Sequence, residues 1–192
     1  MDGSDYSLEN LSIIYSNDIN GGYMEGDPFE LVLGDSMYYT EQVLGFNFKV
    51  SPYAFFQVNT NVFEKMLNEI ANFLNITPET VVFDVCCGTG AIGICLSQHA
   101  KKVVGFELVE AAVENAKENV NMNKEKIEPE KCEYHAGRAE ILMPEISKQY
   151  SDSNSTIVGI VDPPRSGLHR DVLKALRTCK GLDRLVYVSC NA

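Results

Sequence analysis

The sequence has no run of apolar residues long enough to cross a bilayer, so no membrane contact is expected. Its opening stretch, Met1-Asp2-Gly3-Ser4-Asp5, is acidic and resembles neither a signal peptide nor an Arg-rich transit peptide. Basic residues are scarce: 16 Lys and Arg stand against 27 Asp and Glu, a formal net charge of -11. That balance keeps a chain in solution and argues against a generally basic nucleic-acid binder. Any RNA contact would need a local basic patch or another part of the protein. The cysteines Cys86, Cys87, Cys95, Cys132, Cys179 and Cys190 show no repeated CxxC spacing, and several sit in apolar runs. Neither a metal site nor a disulfide framework is expected, and a reducing compartment fits best: inside the cell, cytosol or nucleus in preference to the mitochondrion. No internal repeat is evident.

What is present is an ordinary globular composition, 192 residues with 45% hydrophobic, enough for one sizeable core. The first 50 residues carry strand signals at Leu11–Tyr15, Glu30–Gly34 and Leu44–Val50, with a turn at Asn20-Gly21-Gly22. They read as a small, mostly antiparallel β appendage. From residue 60 the period becomes helical, with Val62, Met66, Leu67, Ile70, Phe73 and Leu74 recurring before a break at Thr77-Pro78-Glu79. Strands at 81–85, 102–107, 131–136, 157–161 and 185–188 then alternate with helices at 91–100, 109–120, 139–150 and 170–179. That alternation predicts an α/β fold with a parallel sheet of βαβ units. The expected division is 1–58 as β-rich appendage and linker, and 59–192 as the core.

Asp84-Val85-Cys86-Cys87-Gly88-Thr89-Gly90 joins the first core strand to its helix. Glycines there let the backbone turn tightly and approach a ligand. The next strand ends in Glu107, whose carboxylate can accept hydrogen bonds from both hydroxyls of a ribose. Read blandly, this is a strand-to-helix turn beside a surface acid. Gly88, Gly90 and Gly93 also match G-x-G-x-x-G, with Glu107 about 20 residues further on, so a nicotinamide dinucleotide site is a rival. Asp84, placed inside the strand before the glycines, disfavours it. The fourth core strand ends in Asp162-Pro163-Pro164-Arg165, whose prolines stiffen the loop so that Asp162 faces the cleft. The fifth ends in Val188-Ser189-Cys190-Asn191. A cysteine there is placed to act as a nucleophile, although by itself such a residue is more often a small buried hydrophobe. The other five cysteines read as packing residues.

Four motifs now stand in order: Ser51-Pro52-Tyr53-Ala54-Phe55-Phe56-Gln57-Val58-Asn59, the glycine loop, Asp162-Pro163-Pro164-Arg165, and Ser189-Cys190-Asn191. From about residue 30 to the end the sequence resembles the RNA uracil-5-methyltransferases, in particular the eukaryotic tRNA (uracil-5-)-methyltransferase branch, homologs A and B. The resemblance implies a class I methyltransferase core, a Rossmann-like parallel sheet. It also implies S-adenosyl-L-methionine as methyl donor and S-adenosyl-L-homocysteine as product. Gln57, Asp84, Cys86, Gly88, Gly90, Glu107 and Asp162 would bind the cofactor, and Cys190 would be the nucleophile. The implied reaction is C5 methylation of a uridine in tRNA, typically in the T loop, through addition of the cysteine to C6. The uridine would have to leave its stack.

Three departures from the family pattern shape the expectation. The family continues Ser-Cys-Asn-Pro, whereas Asn191 is followed by Ala192 and the end of the sequence. Its general base, a downstream glutamate, and its last strands are not in this sequence. The chain therefore reads as a C-terminally truncated core, with a non-catalytic cofactor- or RNA-binding module as the alternative. An amino-group methyltransferase is a second alternative, but those carry Asn-Pro-Pro-Tyr where Asp162-Pro163-Pro164-Arg165 stands. The iron–sulfur cysteine spacing of bacterial ribosomal-RNA relatives is also missing, which favours the tRNA branch.

Overall fold

The computed structural model describes residues 13–16, 29–51, 55–151 and 155–189. The expected turn at Asn20–Gly22, part of the motif at Pro52–Ala54, and Cys190 lie outside them. Two short antiparallel pairs come first: β1 (Ile13–Ser16) with β2 (Phe29–Leu33), and β3 (Tyr39–Val43) with β4 (Phe46–Val50). Helix α1 (Thr60–Leu74) leads into β5 (Thr80–Val85), α2 (Ala91–Leu96), β6 (Lys102–Glu107), α3 (Glu110–Met122) and β7 (Cys132–Ala136). Then follow α4 (Ala139–Ser151), β8 (Thr156–Val161), α5 (Arg170–Thr178) and β9 (Leu182–Tyr187). The last five strands form one parallel sheet in the order β7-β6-β5-β8-β9. The α/β sheet expected from the alternating pattern is present.

The pleat of the sheet decides where each side chain goes. From β5, Val82 enters a core shared with α1, α2, α3 and the β3–β4 hairpin, while Val81, Phe83 and Val85 enter a second core with α4 and α5. Covered on both faces, β5 is buried along its whole length, as central parallel strands are. Connection order reverses between β5 and β8, and such a switch point opens a crevice beyond the carboxyl ends of its strands.

Several boundaries differ from the sequence expectation. The stretch Leu44–Val50 is half turn, half strand: Leu44 and Gly45 take φ of 47° and 79° and close a two-residue hairpin. Positive φ at both positions is what a type I′ turn demands. The unfavourable Leu44 is fixed by Glu64, whose carboxylate accepts from the Leu44 N–H at 2.6 Å, and the Lys126 ammonium donates to the Gly45 carbonyl. In α1 the buried stripe is Phe63, Leu67, Ile70 and Leu74, while Val62 and Phe73 face outward. Helix α2 ends at Leu96 rather than Ala100, and β9 begins at Leu182, three residues before the apolar run that signalled it.

Gly105, in the middle of β6, is a point of close approach. A Cβ there would overlap the Tyr134 ring and come within 2.8 Å of the Cys87 sulfur. Gly105→Ala is expected to lower unfolding free energy by about 1–3 kcal/mol or more in urea denaturation, because neither neighbour can retreat from a packed core. A change below about 0.5 kcal/mol would contradict this packing.

Candidate functional site

The turn Cys86–Gly90 sits at the carboxyl end of β5. The N–H groups of Cys86 and Cys87 both donate to the Phe106 carbonyl on the neighbouring strand, at 2.9 and 3.3 Å, and the Gly90 N–H returns to Cys87 O at 2.9 Å. Cys86, Gly88 and Gly90 all have positive φ, at 63°, 53° and 80°. Gly90 is required twice over. Its φ disfavours L side chains, and a Cβ there would lie 2.8 Å from the Tyr134 hydroxyl oxygen. At Gly88 the opposite holds: an added Cβ would meet nothing within 4 Å, so the turn presents open space at that point.

The turn is held from behind by two buried side chains. Tyr134 donates its hydroxyl to the Gly90 carbonyl at 3.3 Å, and Asn119 donates its amide to the Thr89 carbonyl at 3.0 Å. It is held in front by Glu107. One carboxylate oxygen accepts from the Gly88 N–H at 3.0 Å, and the other accepts from Leu108 and Val109 at 2.7 and 3.0 Å. Asp84 lies beneath. By the pleat it faces α2, where it accepts from the Gly93 N–H at 3.0 Å, and its other oxygen is buried without a hydrogen-bond partner among the described residues. Asp162 follows β8 directly and is half-buried; its N–H donates to Val85 O at 3.3 Å, so it stands beside the turn across the switch point.

Three carboxylates thus share one field. Burial, then the charges of Asp162 and Glu107, push the Asp84 carboxyl up to about 7, against a lowering by the Gly93 N–H. Burial also raises Asp162. The Cys86 thiol is pushed up to about 11 by burial and by Glu107, Asp84 and Asp162, and burial raises Cys87, Cys95, Cys132 and Cys179 as well. None of these five thiols is activated as a nucleophile, in keeping with their reading as packing residues.

Of the residues singled out from sequence, Asp84, Cys86, Gly88, Gly90, Glu107 and Asp162 come together at one edge of the sheet. Gln57 is half-buried next to Phe56, whose ring packs between Phe48 of β4 and Phe63 of α1 at 5.7 and 6.3 Å. Cys190 lies outside the described residues. Sequence reasoning missed Tyr134 and Asn119. Tyr134 gave no signal, because the glycines it packs against, Gly90, Gly93 and Gly105, lie far from it in sequence; Asn119 gave none either, because a polar residue in a helix reads as solvent-facing.

A five-stranded parallel sheet with this order, a glycine turn after its central strand and acids at two strand ends make this a class I methyltransferase fold. The solved Pyrococcus abyssi tRNA (uracil-54, C5)-methyltransferase in complex with S-adenosyl-L-homocysteine matches 94% of this chain and 41% of its own, with a TM-score of 0.65 and 27% identity. In fold alone, the M. jannaschii tRNA m1G37 methyltransferase is also similar, with a TM-score of 0.54 at 17% identity over 82% of this chain and 44% of its own. The family model described as tRNA (Uracil-5-)-methyltransferase matches residues 39–192, and the chain belongs to that family. Human tRNA (uracil-5-)-methyltransferase homolog A is 44% identical over 167 residues, which are 87% of this chain and 26% of the human protein. Mouse homolog B is 40% identical over 164 residues, 85% of this chain and 32% of its own length. The chain therefore spans about a quarter to a third of these curated relatives.

The raised Asp84 carboxyl has a sign that can be checked. Folding lifts it from 3.8 to about 7, so the folded protein holds a proton that the unfolded chain gives up first. Its stabilising contribution is full below pH 3.8 and is lost as pH rises toward 7. Asp84→Asn stays neutral throughout. Stability of the wild type relative to this variant should fall by a few kcal/mol, in order of magnitude, between those limits in denaturation at stepped pH. A flat difference would show that Asp84 is charged in the folded protein.

Proposed function

We propose that this chain is the methyl-donor-binding core of an enzyme that methylates C5 of a tRNA uridine, with S-adenosyl-L-methionine bound over the Cys86–Gly90 turn. The observation that carries the reading is the acidic rim of Glu107 and Asp162, with Asp84 buried beneath it, around a turn with open space at Gly88. A positive sulfonium suits the carboxylates of Glu107 and Asp162 at the two strand ends; a dianionic pyrophosphate, which the rival dinucleotide reading needs, would be repelled. The donor set fits a nucleoside as well. Glu107 already accepts three backbone N–H groups, and ribose hydroxyls would share or replace these bonds. Gln57, Asp84, Cys86, Gly88, Gly90, Glu107 and Asp162 would form or support the pocket.

Bound there, the cofactor supplies an electrophilic methyl group. Uracil C5 is a poor nucleophile on its own. Cys190 would add to C6 of the uridine and turn the ring into an enolate with electron density at C5. C5 would then take up that methyl group as its bond to the sulfonium breaks, leaving S-adenosyl-L-homocysteine, and loss of the C5 proton to a base would expel the Cys190 sulfur from C6. Cys190 must be a thiolate for this step, unlike the buried thiols of the sheet. A T-loop uridine of tRNA is the substrate this reading favours; the Pyrococcus abyssi enzyme similar in structure is named for uracil 54 of tRNA.

Calorimetry on the folded chain should detect S-adenosyl-L-homocysteine binding. Glu107→Gln, which replaces one of the accepting oxygens by a donor, should weaken it about 10-fold or more, as expected for a lost charge-assisted bond. Absence of binding to the wild type would overturn the reading. In the full-length protein, tRNA containing 5-fluorouridine should be trapped covalently on Cys190, because fluorine at C5 cannot leave as a proton does. An adduct that survives Cys190→Ser, located by mass spectrometry, would remove that residue from its role.

A further inference from the structure

We infer that Asn119 is a positioning residue that ties the glycine turn to strand β4, so that two walls of the cofactor pocket are held as one body. The inference rests on the cofactor site proposed above. Asn119 is fully buried in α3. Its amide nitrogen donates to the Thr89 carbonyl at 3.0 Å, and its amide oxygen accepts from the Lys49 N–H at 2.8 Å. One side chain thus uses its donor on the turn and its acceptor on the outer edge of β4. The chain runs on from β4 through Ser51 to Phe56 and Gln57, and Phe56 packs back on Phe48 of the same strand. A lateral shift of β4 would therefore reach both Gln57 and the Thr89 carbonyl.

Asn123, one helical turn later, provides the contrast. Its oxygen accepts from the Asn47 N–H at 2.8 Å, and its nitrogen donates to Asn47 O at 2.7 Å and to Asn119 O at 2.8 Å. It closes the β4 edge as a neighbouring strand would, and it touches no part of the turn in these bonds. Both asparagines bury a polar amide, which costs stability unless every bond is made. Only Asn119 spends its bonds on two segments of the pocket. Linkage is reciprocal, so a ligand that steadies the turn must also steady the Lys49 N–H.

The test compares Asn119→Asp with Asn123→Ala, each shown to be folded by circular dichroism at the temperature used. Measured at a pH high enough to ionise its carboxyl, Asn119→Asp keeps an acceptor for Lys49 and loses the donor to Thr89. It should weaken S-adenosyl-L-homocysteine binding at least 10-fold, while Asn123→Ala, which loosens only the strand, should change it less than 3-fold. Equal losses in the two variants, or affinity of Asn119→Asp within 3-fold of wild type, would overturn the assignment. Hydrogen exchange on the wild type tests it without a substitution. Saturating S-adenosyl-L-homocysteine should slow exchange of the Lys49 amide at least 10-fold beyond any slowing in α5, although Lys49 itself is not a proposed ligand contact. An unchanged Lys49 amide in a protein that binds the ligand would overturn the inference alone, whereas a wild type that binds no ligand would overturn the cofactor reading beneath it.

Discussion

A backbone turn that offers its surface to a ligand cannot satisfy its own polar groups by continuing a helix or a strand. The five residues from Cys86 to Gly90 make one backbone bond among themselves, from Gly90 N–H to Cys87 O, and otherwise meet this constraint with bonds from outside the turn. Phe106 O takes two N–H groups, Glu107 takes the Gly88 N–H, and Tyr134 and Asn119 supply donors to the Gly90 and Thr89 carbonyls. These partners come from three elements distant in the chain, so the turn is only as well placed as β6, β7 and α3. This explains why the packing around Tyr134 leaves no room for a side chain at Gly90 or Gly105.

The same edge carries an electrostatic load. Three carboxylates converge where the sheet changes direction, and the deepest, Asp84, has one oxygen without a partner and a carboxyl raised to about 7. A fold selected only for stability would place an apolar residue there. Perturbed acids at strand ends mark a functional site, and the carboxylates of Glu107 and Asp162 suit a cationic ligand better than an anionic one. Family membership and the acidic rim thus lead independently to the same kind of cofactor.

Much of this was legible in the sequence because it depends on local chemistry. Apolar runs of β-branched residues marked β5, β6 and β8, and the glycines with Glu107 marked the turn. What escaped depends on distant partners. Strand β3, with Thr40, Glu41 and Gln42 at its centre, lacks an apolar face strong enough to announce it, and Leu44 hid a turn inside an apparent strand. Periodicity found the stripe of α1 but not whether Val62 or Phe63 would be covered. Asn119, inside an expected helix, and Asn123, beyond its expected end, carried no sequence signal, and their partners at Lys49 and Asn47 lie 70 and 76 residues away.

The most direct measurement is a titration of the isotope-labelled chain with S-adenosyl-L-homocysteine followed by amide NMR shifts. The account predicts saturable shifts concentrated at Gly88, Thr89, Gly90, Leu108, Val109 and Asp162. Shifts centred elsewhere, for example on the cleft formed by residues 124–131 with Ser97 and Gln98, would contradict it, as would no shifts at ligand saturation.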